Sequence, residues 1–164
     1  MPPPLLRLLP FLVTGFALHA HAADSSLPEF SAHLDAQWNH TQPAEAEERI
    51  RVELARWPDG DPQALIVATQ LARTQSLQHR FAAAHATLDA VEPALVGAPS
   101  HVRVRYLLER GRTFHAAGSP ARAVPLFTEA LALAECAQDA VYAADAAHLL
   151  GLATRTAASA RSPQ

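Results

Sequence analysis

A group of residues recurs along this chain at a spacing of about 40 positions, and this recurrence constrains the fold more than any other feature. The sequence numbers of Ala72 and Gly111 differ by 39, and those of Gly111 and Gly151 differ by 40. The first of these shifts also relates two further pairs, Ala84 with Ala123 and Leu88 with Phe127. Periods of roughly 20–50 residues are typical of stacked supersecondary units, because a single unit cannot bury its apolar face alone. The sequence therefore predicts a stack of similar units within one domain.

Within each unit the apolar residues follow the period of an α-helix, and no stretch alternates with the period of two that marks a strand. Asp61-Pro62 and Ser119-Pro120 each place a capping residue before a proline at the first helical position. Ser100 is predicted to cap the helix that follows it. Aromatic residues make up only 6% of the chain, which favours closely packed helices over sheets. We therefore predict an all-α fold of about seven helices.

The segment 107–131 has a more specific pattern of large, small and aromatic residues. Its members are Leu107, Gly111, Phe114, Gly118, Ala123, Phe127, Ala130 and Leu131. This spacing resembles the signature of the tetratricopeptide repeat, in which the small residues allow two antiparallel helices to approach closely. The chain departs from that family at Arg110, where leucine is preferred, and in its period, which is nearer 40 than about 34. The resemblance implies an α-solenoid of antiparallel helical hairpins.

The resemblance divides the chain into segments. It covers residues 61–153, as the repeats 61–99 and 100–138 and an incomplete repeat 139–153. Residues 23–60 are predicted to form an N-terminal helical pair or a decayed repeat, and residues 154–164 a disordered tail.

The N-terminal segment 1–22 is predicted to be a signal peptide. Leu8–Leu18 carries no charge, but it is shorter than the roughly 20 residues that span a bilayer. Small residues at Ala20 and Ala22 favour cleavage after Ala22. We therefore expect export to the periplasm or secretion, with no integral membrane segment after processing. The alternatives are an uncleaved anchor or a mis-called start codon.

The residue content excludes several chemistries. The net charge of −3 does not favour nucleic acid, and the absence of lysine excludes a lysine-containing phosphate loop. No helical zinc motif or nucleophile elbow is present, so we expect no metal, no cofactor and no catalysis. The carboxylates of segment 45–53 alternate with arginines and are interpreted as a solvated helix face. Cys136 lacks an internal partner, and a buried thiol is favoured over an intermolecular bridge.

In the tetratricopeptide family, the first helices of successive pairs line a concave groove that binds peptides or extended protein segments. The resemblance therefore implies a non-catalytic interaction module for a peptide or partner protein. Alignment with the family's groove positions nominates Thr69, Gln70, Arg73, Ser76, Arg105, Leu108, Arg112, His115, Asp145, His148 and Leu152.

The nominated cations suggest a ligand class. Arg73, Arg105, Arg112 and His115 would form an electropositive wall for an acidic or C-terminal carboxylate segment. The family's carboxylate-clamping members use Lys and Asn at these sites, and this chain has neither there. In the alternative interpretation, the arginines are solvated or pair with Glu109 and Asp145.

The incomplete third repeat leaves further alternatives open. In the family a following helix would cover its apolar residues, which are Tyr142, Ala146, Leu149, Leu150 and Leu152. Self-association through this C-terminal helix, docking on a partner, or shortening of a longer protein would each account for that. Two other functions remain as alternatives: a cytosolic regulatory adaptor with a mis-called start, or a helical accessory subunit of an envelope enzyme.

Overall fold

The computed structural model describes residues 16–37 and 42–160, with side chains from Ser26 onward. Within these ranges the chain forms seven α-helices, one 3-10 helix and no strand, which confirms the predicted all-α class. The helices are α1 (Phe16–Ala36), α2 (Pro43–Leu54), α3 (Pro62–Leu77), α4 (Phe81–Val91), α5 (Ser100–Ala116), α6 (Pro120–Cys136) and α7 (Ala140–Ser159), with the 3-10 helix at Glu92–Leu95. Most of the predicted signal peptide lies outside the described residues, and residues 16–22 begin α1.

One of the three predicted helix caps forms a side-chain hydrogen bond in the structure. The Asp61 carboxylate accepts a hydrogen bond from the backbone N–H of Gln63 at 2.8 Å, so it caps α3 as predicted. Ser119 occupies the equivalent position before α6, but its hydroxyl makes no capping bond to the described backbone. Ser100 is the first residue of α5 and Pro99 is the N-cap, which corrects the predicted role of Ser100.

The turns that follow α3 and α5 have the same backbone geometry, although their sequences differ. His79 follows α3 and Gly118 follows α5 at the same shift of 39, and both have a left-handed backbone with φ of 59° and 76°. In each turn the next N–H donates to the carbonyl five residues earlier, from Arg80 to Gln75 at 2.9 Å and from Ser119 to Phe114 at 2.8 Å. This closure satisfies helix-end carbonyls. The two helical pairs α3–α4 and α5–α6 are therefore similar units at the predicted shift.

Helices α3 and α5 each pack against at least three other helices. Helix α3 packs against α2, α4 and α5, and α5 packs in turn against α4, α6 and α7. The close approach predicted at Gly111 is present, because an ideal Cβ there would lie 2.8 Å from Cδ1 of the fully buried Phe127. Helix α1 packs against α3 and α5, and a cavity of about 340 Å³ lined by Leu34 and Ile50 lies between α1 and α2.

Three expectations about individual segments are wrong. Helix α7 continues to Ser159 and buries Ala153 and Ala157, so the disordered tail does not begin at Thr154. Cys136 is exposed at the end of α6, although burial was favoured. Glu47 is buried and does not belong to a solvated face.

Glu47 connects α2 to the turn that follows α3. It accepts hydrogen bonds from Arg51 at 2.7 Å, from Gln78 at 2.8 Å and from Arg80 at 2.7 Å. Burial by itself raises the pKa of Glu47, but hydrogen bonds from Gln78 and Arg51 and the charges of Arg80 and Arg51 outweigh it, so the pKa lies below its ordinary value of 4.5.

Arg110, the departure from the family pattern, connects α5 to α4. Its guanidinium bonds the carboxylate of Asp89, and it donates to that of Glu92 at 3.3 Å and to the Tyr106 hydroxyl at 3.1 Å. A leucine at this position would pack against α4 through apolar contact alone. The arginine instead makes an ion-paired contact between the same helices.

Candidate functional site

The odd-numbered helices α1, α3, α5 and α7 converge on a polar cavity of about 290 Å³. We call it the polar cavity. Its lining residues are Asp35, Gln70, Arg73, Arg105, Leu108, Glu109, Arg112, Tyr142 and Asp145. The structure thus brings together residues that the sequence analysis nominated from three separate helices: Gln70 and Arg73, then Arg105, Leu108 and Arg112, and finally Asp145.

Arg105 is the centre of the polar cavity. Its side chain is 4% exposed, and its Nη2 and Nη1 donate to the two carboxylate oxygens of Asp35 at 2.7 and 3.0 Å. Such a two-point contact matches the planar fork of a guanidinium to a carboxylate. The guanidinium also donates to Thr69 Oγ1 at 3.1 Å, to Tyr142 Oη at 2.9 Å and to Gln70 Oε1. The guanidinium is therefore held by side chains of α3 and α7 while it faces a carboxylate of α1.

Arg105 remains protonated despite its burial. Burial by itself lowers the pKa of this guanidinium, but the hydrogen bond to Asp35 and the neighbouring Tyr142, Asp35 and Glu109 raise it above the ordinary value. The cavity floor therefore carries a permanent positive charge.

Glu109 supplies the buried negative charge of the site. Its Oε1 accepts from Arg73 Nη1 at 3.1 Å and from Arg112 Nη1 at 2.7 Å, and Arg112 also bonds Asp145. Burial by itself raises the pKa of Glu109, but the charges of Arg112, Arg73 and Arg105 outweigh it, so the net shift is downward. Its other oxygen, Oε2, and Arg73 Nε are buried without a hydrogen-bond partner in the described part of the chain.

The charges of the polar cavity balance, and its arginines are paired with carboxylates. Three guanidiniums face three carboxylates, and Arg73 and Arg112 pair with Glu109 and Asp145 as the second interpretation stated. The unpaired electropositive wall is therefore not present. The side chains of Asp35 and Asp145 are 47% and 34% exposed, so two carboxylates lie at the rim and the arginine donors lie beneath them.

The other nominated residues lie elsewhere. Thr69 is fully buried and positions Arg105 from below, and Ser76 is also buried. His115 contacts Thr156 Oγ1 at 3.4 Å near the surface. His148 and Leu152 are exposed on α7, outside the lining of the polar cavity.

Three lining residues were not nominated as groove residues from the sequence: Asp35, Glu109 and Tyr142. Asp35 contacts Arg105 across 70 residues of chain, and Tyr142 contacts it across 37. Ser31 and His101 form another contact across 70 residues, in which the Ser31 hydroxyl lies 2.8 Å from His101 Nε2. The His101 ring also stacks on Tyr142, with centroids 4.7 Å apart. No sequence signal marks Asp35, because it lies outside the segment 61–153 on which the groove nominations depend.

The C-terminal helix exposes less apolar surface than the sequence suggests. Ala146 is fully buried, and Tyr142, Leu149 and Leu150 pack against the core in partly buried positions. Among the apolar residues that the sequence predicts to be uncovered on this helix, Leu152 is exposed, at 36%.

No protein-family model matches the sequence, and neither the search of curated proteins nor the search of solved structures finds a match. Among the described helices, none combines the length and apolar character needed to cross a membrane. The described residues likewise contain no group of three or more His, Cys, Asp or Glu side chains arranged to hold a metal ion.

Proposed function

We propose that this chain is a non-catalytic protein-interaction module, an α-solenoid similar to tetratricopeptide-repeat proteins, which binds an extended segment of a partner at the polar cavity. The observation that carries the proposal is the convergence of nominated groove residues. Gln70 and Arg73 of α3, Arg105 and Arg112 of α5, and Asp145 of α7 line one cavity. A groove built by the first helix of each pair requires that arrangement.

The packing of the helical pairs supports the solenoid. The turns at His79 and Gly118 have the same closure, and Gly111 gives the Phe127 ring the space that the family pattern assigns to it. Stacked pairs stabilise one another because each covers the apolar face of the next.

The chemistry of the cavity favours a partner segment that carries carboxylates. Arg105 and Arg112 already bind carboxylates at the rim, and guanidinium donors beneath a partly exposed acid can exchange one carboxylate for another with little change in geometry. Charge-assisted hydrogen bonds contribute about 1.5–3 kcal/mol when they are shielded from water. We further propose that binding takes place after export, on a mature chain that begins at Ala23.

Site-specific photo-crosslinking tests the location of the interface. A photoreactive residue at position 145 places the probe at the cavity rim, and one at position 103 places it on an exposed part of α5 outside the cavity lining. We expect a partner to be captured from position 145 and not from position 103. Mass spectrometry then identifies the partner and the mature N-terminus. Capture from position 103 alone would reject the cavity as the interface.

Conservative variants test the role of the arginines once the partner segment is known. Arg73→Gln combined with Arg112→Gln keeps amide donors near Glu109, whereas alanine would leave that buried carboxylate unpaired. We expect the affinity to fall by about tenfold or more at low salt, equivalent to about 1.4 kcal/mol. Arg103→Gln, on the same helix and exposed, is the matched control. Unchanged affinity in the double variant refutes the proposed role of the arginines.

A further inference from the structure

We propose, on the basis of the proposed function, that α1 is an intramolecular occupant of the polar cavity, and that a carboxylate-bearing partner segment binds by displacing Asp35 from Arg105. The site is thus both filled and regulated by the chain itself. Three observations lead to this inference: the geometry of the Asp35–Arg105 contact, the direction of α1, and the position of Asp35 at the end of α1.

The contact between Asp35 and Arg105 has the form of ligand recognition. Thr69, Gln70 and Tyr142 hold the guanidinium in place from the body of the fold. Its fork then meets both oxygens of Asp35 at 2.7 and 3.0 Å. The acid side of this pair is 47% exposed and the arginine side is 4% exposed, so a competing carboxylate can approach from solvent.

The direction of α1 is that of a segment lying along a groove. Ser31 contacts His101 and Asp35 contacts Arg105, each across 70 residues, so α1 runs parallel to α5. Leu27, one turn before Ser31, is buried at 2% exposure. Helix α1 therefore presents two buried apolar side chains, Leu27 and Leu34, together with one hydroxyl and one carboxylate contact, as a bound peptide helix does.

The position of Asp35 lets its carboxylate leave the site while α1 stays packed. Leu27 and Leu34 are buried, and the Phe30 ring packs edge-on against Trp57 with centroids 5.5 Å apart. Asp35 is the next-to-last residue of α1. The end of a helix opens more readily than its middle, so Asp35 can move away without release of the whole helix.

An internal occupant lowers the apparent affinity for a partner, because that affinity is proportional to the fraction of time for which the site is empty. A tethered segment acts at an effective concentration in the millimolar range, so even a weak contact keeps the site mostly filled. Weakening that contact should therefore strengthen binding of an external carboxylate. A contact that only stabilises the fold would not have this effect.

The test uses the full-length chain in three forms: the parent, Asp35→Asn and Glu29→Gln. Asparagine has the size of aspartate and lacks its charge, and Glu29 is an exposed carboxylate on the same helix. The probe is a fluorescein-labelled octapeptide rich in Asp and Glu with a free C-terminal carboxylate, and anisotropy measures its dissociation constant. Hydrogen exchange of residues 26–37, with and without the probe, measures the opening of the end of α1.

We expect Asp35→Asn to bind the probe at least about tenfold more tightly than the parent chain and Glu29→Gln do. We also expect saturating probe to accelerate exchange of residues 26–37 in the parent chain. Equal affinities in all three forms, with unchanged exchange in α1, would overturn the role of α1 and leave the proposed function standing. Failure of the probe to bind any form, including Asp35→Asn, would reject the carboxylate-binding function together with the displacement.

Discussion

Replacement of Gly111 by alanine should destabilise the protein, although alanine is the better helix former. An ideal Cβ on Gly111 would lie 2.8 Å from Cδ1 and 2.9 Å from Cζ of the Phe127 ring. The ring is fully buried in the core, so it cannot turn into solvent to make room. Helices α5 and α6 must separate, or the ring must leave its preferred rotamer.

The size of the effect follows from two opposing contributions. An added methyl group in a packed core costs about 1–3 kcal/mol, whereas replacing a helical glycine with alanine contributes about 0.5–1 kcal/mol in favour of folding. The balance is a loss of about 1–2 kcal/mol in the free energy of unfolding. In a chain of this size that corresponds to a fall in Tm of roughly 2–8 °C.

Gly151 provides a matched control, because it occupies the equivalent position of the next repeat. The nearest atom to its ideal Cβ is Nη1 of Arg155 at 3.3 Å, the mobile end of a flexible side chain. Gly151→Ala should therefore stabilise the protein by about 0.5–1 kcal/mol. Urea denaturation and thermal melts followed by circular dichroism measure both variants. A Gly111→Ala protein as stable as the parent would refute the argument that Phe127 requires a glycine on α5.

Three further predictions concern a helix cap, a buried carboxylate and the thiol. Asp61→Ala should cost about 1 kcal/mol because it removes the bond to the Gln63 amide, whereas Ser119→Ala, which removes no capping bond, should change the unfolding free energy by less than about 0.5 kcal/mol. Glu47→Gln should cost about 1 kcal/mol at pH 7, since its partners Arg51 and Arg80 are half exposed. The folded-state pKa of Glu47 is lowered, so its contribution to the free energy of unfolding is present above pH 4.5 and is lost as the pH falls through the folded-state pKa. Urea titrations at pH 7 and pH 3 should therefore show a smaller difference between parent and variant in acid. The exposed Glu48→Gln is the control. Cys136 should react with a thiol reagent in the native protein at a rate close to that of the urea-unfolded chain, and a rate at least a hundredfold slower would contradict its exposure.

The helices and their order were predictable because their signals are local. Asp61 and Pro62 identify the start of α3 within two residues, and the stripe through Gly111 repeats within each turn. The close packing of α5 on α6 was predictable for a similar reason, since Gly111 and Ala123 lie on helices that are adjacent in the chain. Residues such as Arg105 and Arg112 could be nominated because the resemblance to the tetratricopeptide repeat implies which positions face a groove.

Other features could not be predicted because their partners are distant in sequence. Glu47 looked like a member of a solvated face, yet Gln78 and Arg80 lie 31 and 33 residues away. The C-terminal segment has a composition typical of a tail, but Ala157 is buried. Composition does not reveal whether a neighbouring helix is present to cover such an alanine.

The division between the two sources of information has a physical origin. Hydrophobic periodicity, capping residues and the repeat spacing act within one or two turns of chain, so the amino-acid order alone established an all-helical protein of similar units and the helices that carry its arginines. The state of those arginines depends on contacts that only folding creates. The pairing of Arg105 with Asp35 across 70 residues, and of Arg73 with Glu109 across 36, is a matter of which helix faces lie together in space. Electrostatic interactions act over distance in space and not along the chain, so only the folded protein shows that these cations already hold carboxylates.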